Sequence, residues 1–216
     1  MSDNTTLNLE FLRFSLSAQV LRFGKFRTKA GRDSPYFFNA GLFNSGALLE
    51  QLGSFYADTM QIACPEFDMI FGPAYKGIPL ATATATSIAR RHNRDVPIAY
   101  NRKEAKDHGE GGNMVGAELK GRVIIIDDVI SAGTSIKESA KWIDAAGAKL
   151  AGVIIALDRQ ERGSGTMSAT QEVEQTLGVP VTAIARLEDL INLLSDDPAA
   201  TEPLTAIKAY RDRYGA

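Results

Sequence analysis

Apolar residues follow two patterns along this chain, short continuous runs and longer segments with helical spacing. The four β-branched residues at 123–126 and the run at 151–157 lack polar alternation, which is typical of parallel strands buried on both faces. Segments with helical spacing lie between these runs. The pattern predicts an α/β fold with a mostly parallel sheet. Predicted strands lie at 67–71, 96–100, 123–126, 151–157 and 181–185, and predicted helices at 9–22, 45–63, 80–91, 135–146, 169–177, 187–194 and 201–214.

The segment 23–41 falls outside this alternation. Two short β-like stretches surround its turn-forming residues, 30–35, which predicts a hairpin-like unit. The basic side chains of this unit stand beside three consecutive aromatic residues, Tyr36, Phe37 and Phe38, a combination that suits a flat anionic ring. Aromatic residues on a strand more often belong to the core, so this segment alone favours a core role.

The composition indicates one folded domain. With 216 residues, 44% of them hydrophobic, the chain can bury a full core. A formal net charge of −2, without a run of Lys or Arg, gives no general attraction to nucleic acid. Cys64 is the sole cysteine, so we expect no internal disulfide and a reduced, cytoplasmic location. No apolar stretch suggests an export signal or a membrane span.

Two acids and a small-residue loop follow the first of the apolar runs, and together they predict a sugar-phosphate site. Asp127 and Asp128 can accept hydrogen bonds from adjacent ribose hydroxyls. The loop at 131–134 is small enough for its N–H groups to surround a phosphate, and Ser135 has capping-box spacing to Glu138. The alternative is an ordinary βα turn with solvent-facing acids. A nucleotide triphosphatase is disfavoured because the chain has no G-x-x-x-x-G-K-[ST] motif.

A second strand–loop–helix unit contains the glycine-rich segment 72–79. Lys76 lies at the tip of this loop, where it could meet a phosphate. Gly72 and Gly77 would allow close approach of the backbone. Without further context, an exposed lysine in an ordinary βα loop is about equally compatible.

Two more segments offer cations to an anionic ligand. The polar segment 101–113 combines basic side chains with glycine hinges, which favours a mobile lid over the alternative of a solvated surface loop. Arg159 follows the run at 151–157, at the carboxyl end of a predicted strand, where open α/β folds bind their ligands.

Taken together, these segments resemble one family, the orotate phosphoribosyltransferases, which are type I phosphoribosyltransferases. The likeness extends over nearly the whole chain. It is carried by a hairpin motif at 29–38, a pyrophosphate loop at 72–79, a lid at 101–112, a motif for phosphoribosyl pyrophosphate (PRPP) at 123–135, and Arg159. The resemblance implies a central, mostly parallel sheet flanked by helices, with a small N-terminal hood subdomain.

The same resemblance implies the organisation of the chain. It implies a single phosphoribosyltransferase domain over residues 1–216, with hood elements chiefly within 1–45 and the C-terminal segment, and a catalytic lid at 101–113. It also implies a homodimer in which the lid is shared between subunits, with neither nucleic acid nor membrane as a partner. A cis peptide bond before Tyr75 is a further expectation of this kind.

The reaction implied by the resemblance is transfer of ribose 5-phosphate from PRPP to orotate. Its products are orotidine 5′-monophosphate and pyrophosphate, in de novo UMP biosynthesis. Mg²⁺ is the implied cofactor, and we expect PRPP oxygens and water to supply most of its ligands, with no certain protein ligand.

The residue roles that the resemblance implies fall into three sets. Residues expected to contact PRPP are Lys29, Tyr75, Lys76, Arg102, Lys103, Lys106, His108, Asp127, Asp128, Val129, Ile130, Ser131, Ala132, Gly133, Thr134 and Ser135. Residues expected to contact orotate are Phe37, Phe38, Ser131 and Arg159. Residues expected to act in catalysis are Lys106, Lys103, Arg102, His108, Asp127 and Asp128, with Lys106 the most important lid cation.

Two alternative functions compete with this interpretation. The same fold could act on another base, such as a purine or uracil, but such enzymes would lack the pairing of a basic, aromatic hairpin with Arg159. A non-catalytic regulator could keep the PRPP motif and bind RNA or DNA. The acidic chain and the complete lid disfavour that second alternative.

Overall fold

A six-stranded sheet and a separate hairpin make up the β-structure in the computed structural model of this chain, which describes residues 4–28, 30–106, 112–163 and 165–216. Side chains are described for these residues except 4, 5, 105, 106 and 112. The strands are β1 (Leu21–Arg27), β2 (Asp33–Phe38), β3 (Met69–Phe71), β4 (Ile98–Lys106), β5 (Gly112–Gly116), β6 (Arg122–Asp127), β7 (Lys149–Asp158) and β8 (Val181–Arg186). The six-stranded sheet has the order β5-β4-β3-β6-β7-β8, and all its neighbouring strands are parallel except β5 and β4, which are antiparallel. The predicted mostly parallel sheet is therefore confirmed.

Helices cover both faces of this sheet. They are α1 (Asn4–Ser17), α2 (Gly46–Ala63), α3 (Gly77–His92), α4 (Thr134–Ala145), α5 (Ala169–Leu177), α6 (Leu187–Ser195) and α7 (Thr201–Tyr214). Short 3₁₀ helices occupy Ala40–Leu42 and Pro198–Ala200. Within the described ranges, no helix combines the length and apolar character needed to cross a membrane.

The central strand β6 is buried on both faces because its side chains alternate between two apolar cores. Ile124 and Ile126 enter the core shared with α1, α2, α3, α6, α7 and the hairpin. Val123 and Ile125 enter the core shared with α4 and α5. All four side chains are fully buried, as the absence of polar alternation predicted.

The hairpin β1–β2 is not part of the six-stranded sheet, and it packs against the N-terminal and C-terminal helices. Phe38 lies 6.2 Å from Phe11 of α1 between ring centroids, and Tyr36 lies 6.1 Å from Tyr210 of α7 in an edge-to-face arrangement. The assignment of these elements to a hood within one domain stays a prediction. Their packing places β2 beside the carboxyl ends of β6 and β7, where the candidate site lies.

The predicted helix at 9–22 is wrong at both ends. The helix begins at Asn4 and ends at Ser17, and the hairpin already starts at Leu21. The chain leaves the helix because Gln19 adopts a left-handed conformation, with φ of 57°, and Val20 donates a hydrogen bond back to the Ser15 carbonyl. Val20 and Leu21 are buried in this reversal, so their apolar character imitated a continuing helix.

The interpretation of 101–113 as a polar loop also needs correction. Residues 101–106 continue β4, and 112–116 form β5 against it, with Asn101 opposite Met114 and Lys106 opposite Gly112. Backbone hydrogen bonds hold such an edge ribbon together, so it does not need the apolar side chains on which the prediction relied. Residues 107–111 lie outside the described residues.

The contact between α2 and α3 gives a test of this packing. A Cβ atom at Gly53 would lie 2.5 Å from the Ala83 carbonyl oxygen, so Gly53→Ala must push two helix backbones apart. We expect it to lower the free energy of unfolding by about 1–3 kcal/mol. Gly46→Ala in the same helix is the matched control, because a Cβ there meets no atom within 4 Å. Urea unfolding followed by circular dichroism at equal protein concentration checks this, and equal midpoints for both variants would contradict it.

Candidate active site

A cleft of about 920 Å³ opens where β3, β6 and β7 end and the hairpin faces the sheet. Most of the predicted site residues whose side chains are described line this cleft. They are Phe37, Phe38, Tyr75, Lys76, Lys103, Asp127, Asp128, Val129, Ile130, Ser131, Ala132, Gly133, Thr134, Ser135 and Arg159. The tertiary structure thus brings together segments that are distant along the chain, while the individual roles stay predictions.

Four predicted residues are not placed in the cleft. Lys29 and His108 lie outside the described residues, as does the side chain of Lys106. Arg102 is described but does not line the cleft, and its buried Nη1 has no hydrogen-bond partner among the described residues.

The two acids at the end of β6 occupy different environments. One carboxylate oxygen of Asp127 accepts a hydrogen bond from the Asp128 amide at 2.9 Å, and the other accepts one from the Ser135 hydroxyl at 3.0 Å. Burial and the adjacent charge of Asp128 raise the pKa of Asp127 to about 6. The Tyr56 hydroxyl, buried beneath them, donates to the Asp127 carbonyl at 2.8 Å. Hydrogen bonds therefore fix the carboxyl group of Asp127, while burial and the neighbouring charge destabilise its ionised form.

The predicted capping box at the start of α4 is wrong. The cap is Gly133, in a left-handed conformation with φ of 68°, and no side chain caps the helix. The Ser135 hydroxyl bonds to Asp127 instead, since the chain turns back toward the strand end. A helix N-terminus without a side-chain cap has amide groups available for an anion, which favours a phosphate at the loop 129–135.

Lys76 forms an ion pair across the cleft with the second acid. Its Nζ lies 2.6 Å from Oδ2 of Asp128, whose side chain is only 7% exposed, whereas the Lys76 side chain is 56% exposed. A nearly buried carboxylate needs such compensation, and the exposed lysine retains freedom to move. This ion pair thus connects the predicted pyrophosphate loop, 72–79, to the acid pair at the end of β6.

The backbone of the loop 72–79 is held by its own close contacts. A Cβ at Gly72 would lie 2.1 Å from the Gly77 carbonyl oxygen, so these glycines are needed for packing within the loop. Their role in the approach of a phosphate stays a prediction. The Ala74 amide donates to the buried Asn101 side chain at 2.8 Å. The peptide bond between Ala74 and Tyr75 is cis, as the resemblance implied. Lys103 lies 5.0 Å above the ring of Tyr75.

Arg159 stands at the other end of the cleft, against the hairpin. Its guanidinium lies 4.5 Å over the ring of Tyr36, donates to the Ser34 hydroxyl at 3.1 Å, and donates through Nε to Glu161 at 2.6 Å. Although burial disfavours its charge, the neighbouring Tyr36 and Glu161 raise the pKa of Arg159. A guanidinium held in this way has the charge and planar shape that suit a carboxylate, while the predicted contact with orotate stays a prediction.

The two predicted aromatic residues differ in their surroundings. Phe37 stacks on Phe26 with ring centroids 5.4 Å apart, on the hairpin itself. Phe38 is 5% exposed, and its ring packs in the core against Phe11 and Phe43. The core interpretation of the aromatic run therefore holds for Phe38, although both residues border the cleft.

Sequence reasoning missed Ser34 and Glu161 as partners of Arg159. Glu161 stands two residues after Arg159, and this acid at the strand end was a usable signal. Ser34 gave none, because only the fold brings it to Arg159 across 125 residues.

Comparison with known proteins identifies the family. The family model of the phosphoribosyl transferase domain matches residues 47–172. Orotate phosphoribosyltransferase of Laribacter hongkongensis is 62% identical over 95% of this chain and 96% of that protein, and the Cronobacter sakazakii enzyme is 58% identical over 95% and 97%. This chain belongs to the orotate phosphoribosyltransferase family. A crystal structure of the Francisella tularensis member is 41% identical and covers 96% of this chain and all of that one, with a TM-score of 0.87. The predicted type I phosphoribosyltransferase fold is confirmed by this membership.

The perturbed carboxyl group of Asp127 gives a pH-dependent test. Since its folded-state pKa of about 6 exceeds the usual 3.8, the folded protein holds this proton more tightly, and stability falls as pH rises from about 4 to 6. Asp127→Asn removes that cost, so we expect it to be more stable than the natural protein at pH 7.5 by about 1–3 kcal/mol. At pH 4 the difference should vanish.

Urea unfolding at the two pH values measures this effect. Asp144→Asn, at an exposed position of α4, is the control and should change stability little at either pH. A natural protein that is as stable as Asp127→Asn at pH 7.5 would contradict the assigned environment of Asp127.

Proposed function

We propose that this chain transfers ribose 5-phosphate from PRPP to orotate, releasing pyrophosphate, as a cytoplasmic step of UMP biosynthesis. The observation that carries the proposal is one cleft with two unlike ends. An acid pair and an uncapped helix N-terminus suit a ribose 5-phosphate, and Arg159 over Tyr36 suits a planar carboxylate. The identity to named orotate phosphoribosyltransferases supports the same reaction.

The sugar-phosphate end would orient PRPP. Asp127 and Asp128 would accept hydrogen bonds from the ribose hydroxyls, while the loop Val129 to Ser135 and the dipole of α4 would bind the 5′-phosphate. Because Lys76 pairs with Asp128 in this structure, arrival of the sugar hydroxyls would release its ammonium group toward the pyrophosphate. The same lysine would then serve the acid in the free protein and the leaving group in the complex.

The base end would hold orotate against the hairpin. Arg159 would bind the carboxylate, Phe37 and Phe38 would border the ring, and Ser131 would contribute a hydrogen bond from the PRPP loop. Their positions along the cleft wall would set the ring nitrogen toward the sugar. Positioning of this kind can supply a large part of the rate enhancement.

The chemistry would depend on charge at the leaving group. Transfer would pass through an oxocarbenium-like ribosyl centre, and the family motifs supply no obvious covalent nucleophile. Lys106, Lys103, Arg102, His108 and Lys29 would neutralise pyrophosphate as it leaves, with Asp127 and Asp128 facing the positive sugar. Tyr75 would contact the pyrophosphate beside Lys103.

Mg²⁺ is compatible with the residues present. Among the described residues, no group of three or more His, Cys, Asp or Glu side chains could hold a metal ion by itself. The carboxylates at the sugar end are already engaged by Ser135 and Lys76, so PRPP oxygens and water would supply most ligands. When bound, the ion would supply charge neutralisation at the pyrophosphate.

An assay with three bases tests the proposed function. With PRPP and orotate together, orotate absorbance should fall and pyrophosphate should be released. With PRPP and either uracil or hypoxanthine, no pyrophosphate should be released. Turnover with hypoxanthine or uracil instead of orotate would assign another base. Tight RNA binding at physiological salt without orotate turnover would overturn the enzyme assignment.

The lid gives a more specific expectation. Lys106→Ala should lower the turnover number with orotate by about 100-fold, because one cation that stabilises the leaving group in the transition state is lost. Lys120→Ala, an exposed lysine outside the cleft, is the control and should retain normal turnover. An unchanged turnover number in Lys106→Ala would show that the lid lysine is not part of the chemistry.

A mixing experiment tests the proposed homodimer with shared lids. Lys106→Ala and Asp128→Asn should each be nearly inactive alone. After subunit exchange, half of the dimers would be mixed, each with one intact site, so roughly a quarter of the natural activity should return. Absence of recovery, with exchange verified by a tag on one variant, would argue against a lid supplied by the partner subunit.

A further inference from the structure

The carboxylate of Glu161 is the meeting point of three distant segments. Its Oε1 accepts hydrogen bonds from Nε of Arg159 at 2.6 Å and from the Tyr210 hydroxyl at 3.0 Å. Its Oε2 accepts one from Nη1 of Arg32 at 3.2 Å. Its side chain is 14% exposed, so these charge-assisted bonds form largely away from water. The end of β7, the turn of the hairpin and the helix α7 are thereby joined at a single group.

Further contacts attach the C-terminal segment to the same point. Arg32 lies 5.2 Å over the ring of Tyr214 and donates to the Arg162 carbonyl at 2.7 Å. The Ala216 amide donates to the Gln160 carbonyl, the residue between Arg159 and Glu161. The C-terminal segment is consequently bonded to the residues that directly follow the cleft arginine, although Tyr210 itself does not line the cleft.

These contacts restrict the guanidinium of Arg159 from several directions. Tyr36 covers one face. Nε donates to Glu161, and Nη2 donates to Ser34 and lies 2.6 Å from the same Glu161 oxygen, whereas Nη1 makes no hydrogen bond to any described residue. A free arginine side chain samples many rotamers, and fixing it on substrate binding would cost affinity. In this structure the contacts with Tyr36, Ser34 and Glu161 already fix the side chain of Arg159 without a ligand, so its Nη1 is oriented before binding.

We propose that Glu161 and Tyr210 are positioning residues that set the affinity for the base by fixing Arg159. The proposal rests on the proposed function, in which Arg159 binds the orotate carboxylate. It assigns to the C-terminal helix a part in base recognition that it exerts without touching the base.

Electrostatics alone would give the opposite expectation for Glu161. A negative charge beside an anionic base repels it, so a charge-only view has Glu161→Gln bind orotate more tightly. Arg32 and Arg159 together carry more charge than Glu161, so the net charge at this point is positive and repulsion of the base is small. In Glu161→Gln, the loss of a fixed orientation of Arg159 should therefore weaken binding more than the removed repulsion strengthens it. The sign of the change in KM for orotate therefore separates positioning from simple charge.

Tyr210→Phe is the cleanest test, since it removes one hydroxyl and no charge. We expect the KM for orotate to rise about 10-fold, as for loss of one hydrogen bond to a charged group, with the KM for PRPP and the turnover number within about twofold. Tyr214→Phe on the same helix is the matched control, because its hydroxyl makes no hydrogen bond to the described residues and its ring is kept. An unchanged KM for orotate in Tyr210→Phe, or equal changes in both variants, would overturn the proposal.

Glu161→Gln and the double variant complete the experiment. The single variant should raise the KM for orotate and leave that for PRPP nearly unchanged, and adding Tyr210→Phe should have little further effect because both act through one contact. Thermal unfolding of each variant identifies a folding defect, which would raise neither KM selectively. A lower KM for orotate in Glu161→Gln would overturn the proposal in favour of charge repulsion. If the natural protein does not turn over orotate with PRPP, the proposed function fails and the positioning role fails with it. Normal turnover by the natural protein together with an unchanged KM for orotate in Tyr210→Phe overturns the positioning role alone.

Discussion

The cost of holding two adjacent carboxylates at the end of a fully buried strand governs the architecture of this site. Burial raises the pKa of Asp127 to about 6, so its charged form is destabilised in the fold. The surrounding chain offsets this with Ser135 and the Asp128 amide at one acid and with Lys76 at the other. Each of these partners comes from a segment that the resemblance assigns to PRPP. The contacts that stabilise the two acids therefore also bring the predicted PRPP segments together.

The opposite end of the cleft solves the complementary problem of a buried cation. Arg159 is 14% exposed; Ser34 and Glu161 accept hydrogen bonds from its Nη2 and Nε, the carboxylate of Glu161 balances its charge, and the ring of Tyr36 covers one face. A planar guanidinium on an aromatic face is a rigid arrangement. At the sugar end, the charge of Asp128 is balanced by an exposed side chain, Lys76. At the base end, the charge of Arg159 is balanced by a largely buried one, Glu161.

Much of the fold could be predicted because its signals are local. The continuous apolar runs inside β6 and β7 predicted a parallel sheet, and α5 and α7 were predicted with the bounds that the structure shows. Predictions failed where tertiary contacts reassigned a residue. Val20 and Leu21 extended an apolar pattern, but Val20 lies in the reversal after the helix and Leu21 begins the hairpin. Ser135 had the spacing of a cap, but its hydroxyl bonds to Asp127. The start of β4 was predicted, but its polar continuation beyond residue 100 and its partner β5 were missed because backbone pairing, which side-chain hydrophobicity does not reveal, holds them together.

The sequence by itself determined the class of fold and the residue types of the sugar-phosphate site, because strand, acids, loop and helix are consecutive within 123–135. The carboxyl ends of neighbouring parallel strands share one edge, so Lys76 and Arg159 could also be assigned to that edge. Only the tertiary structure decided the partners: Lys76 with Asp128 across 52 residues, and Arg159 with Ser34 across 125. Hydrogen bonds and ion pairs depend on distances of a few ångströms between side chains, and the separation of residues along the chain does not encode those distances.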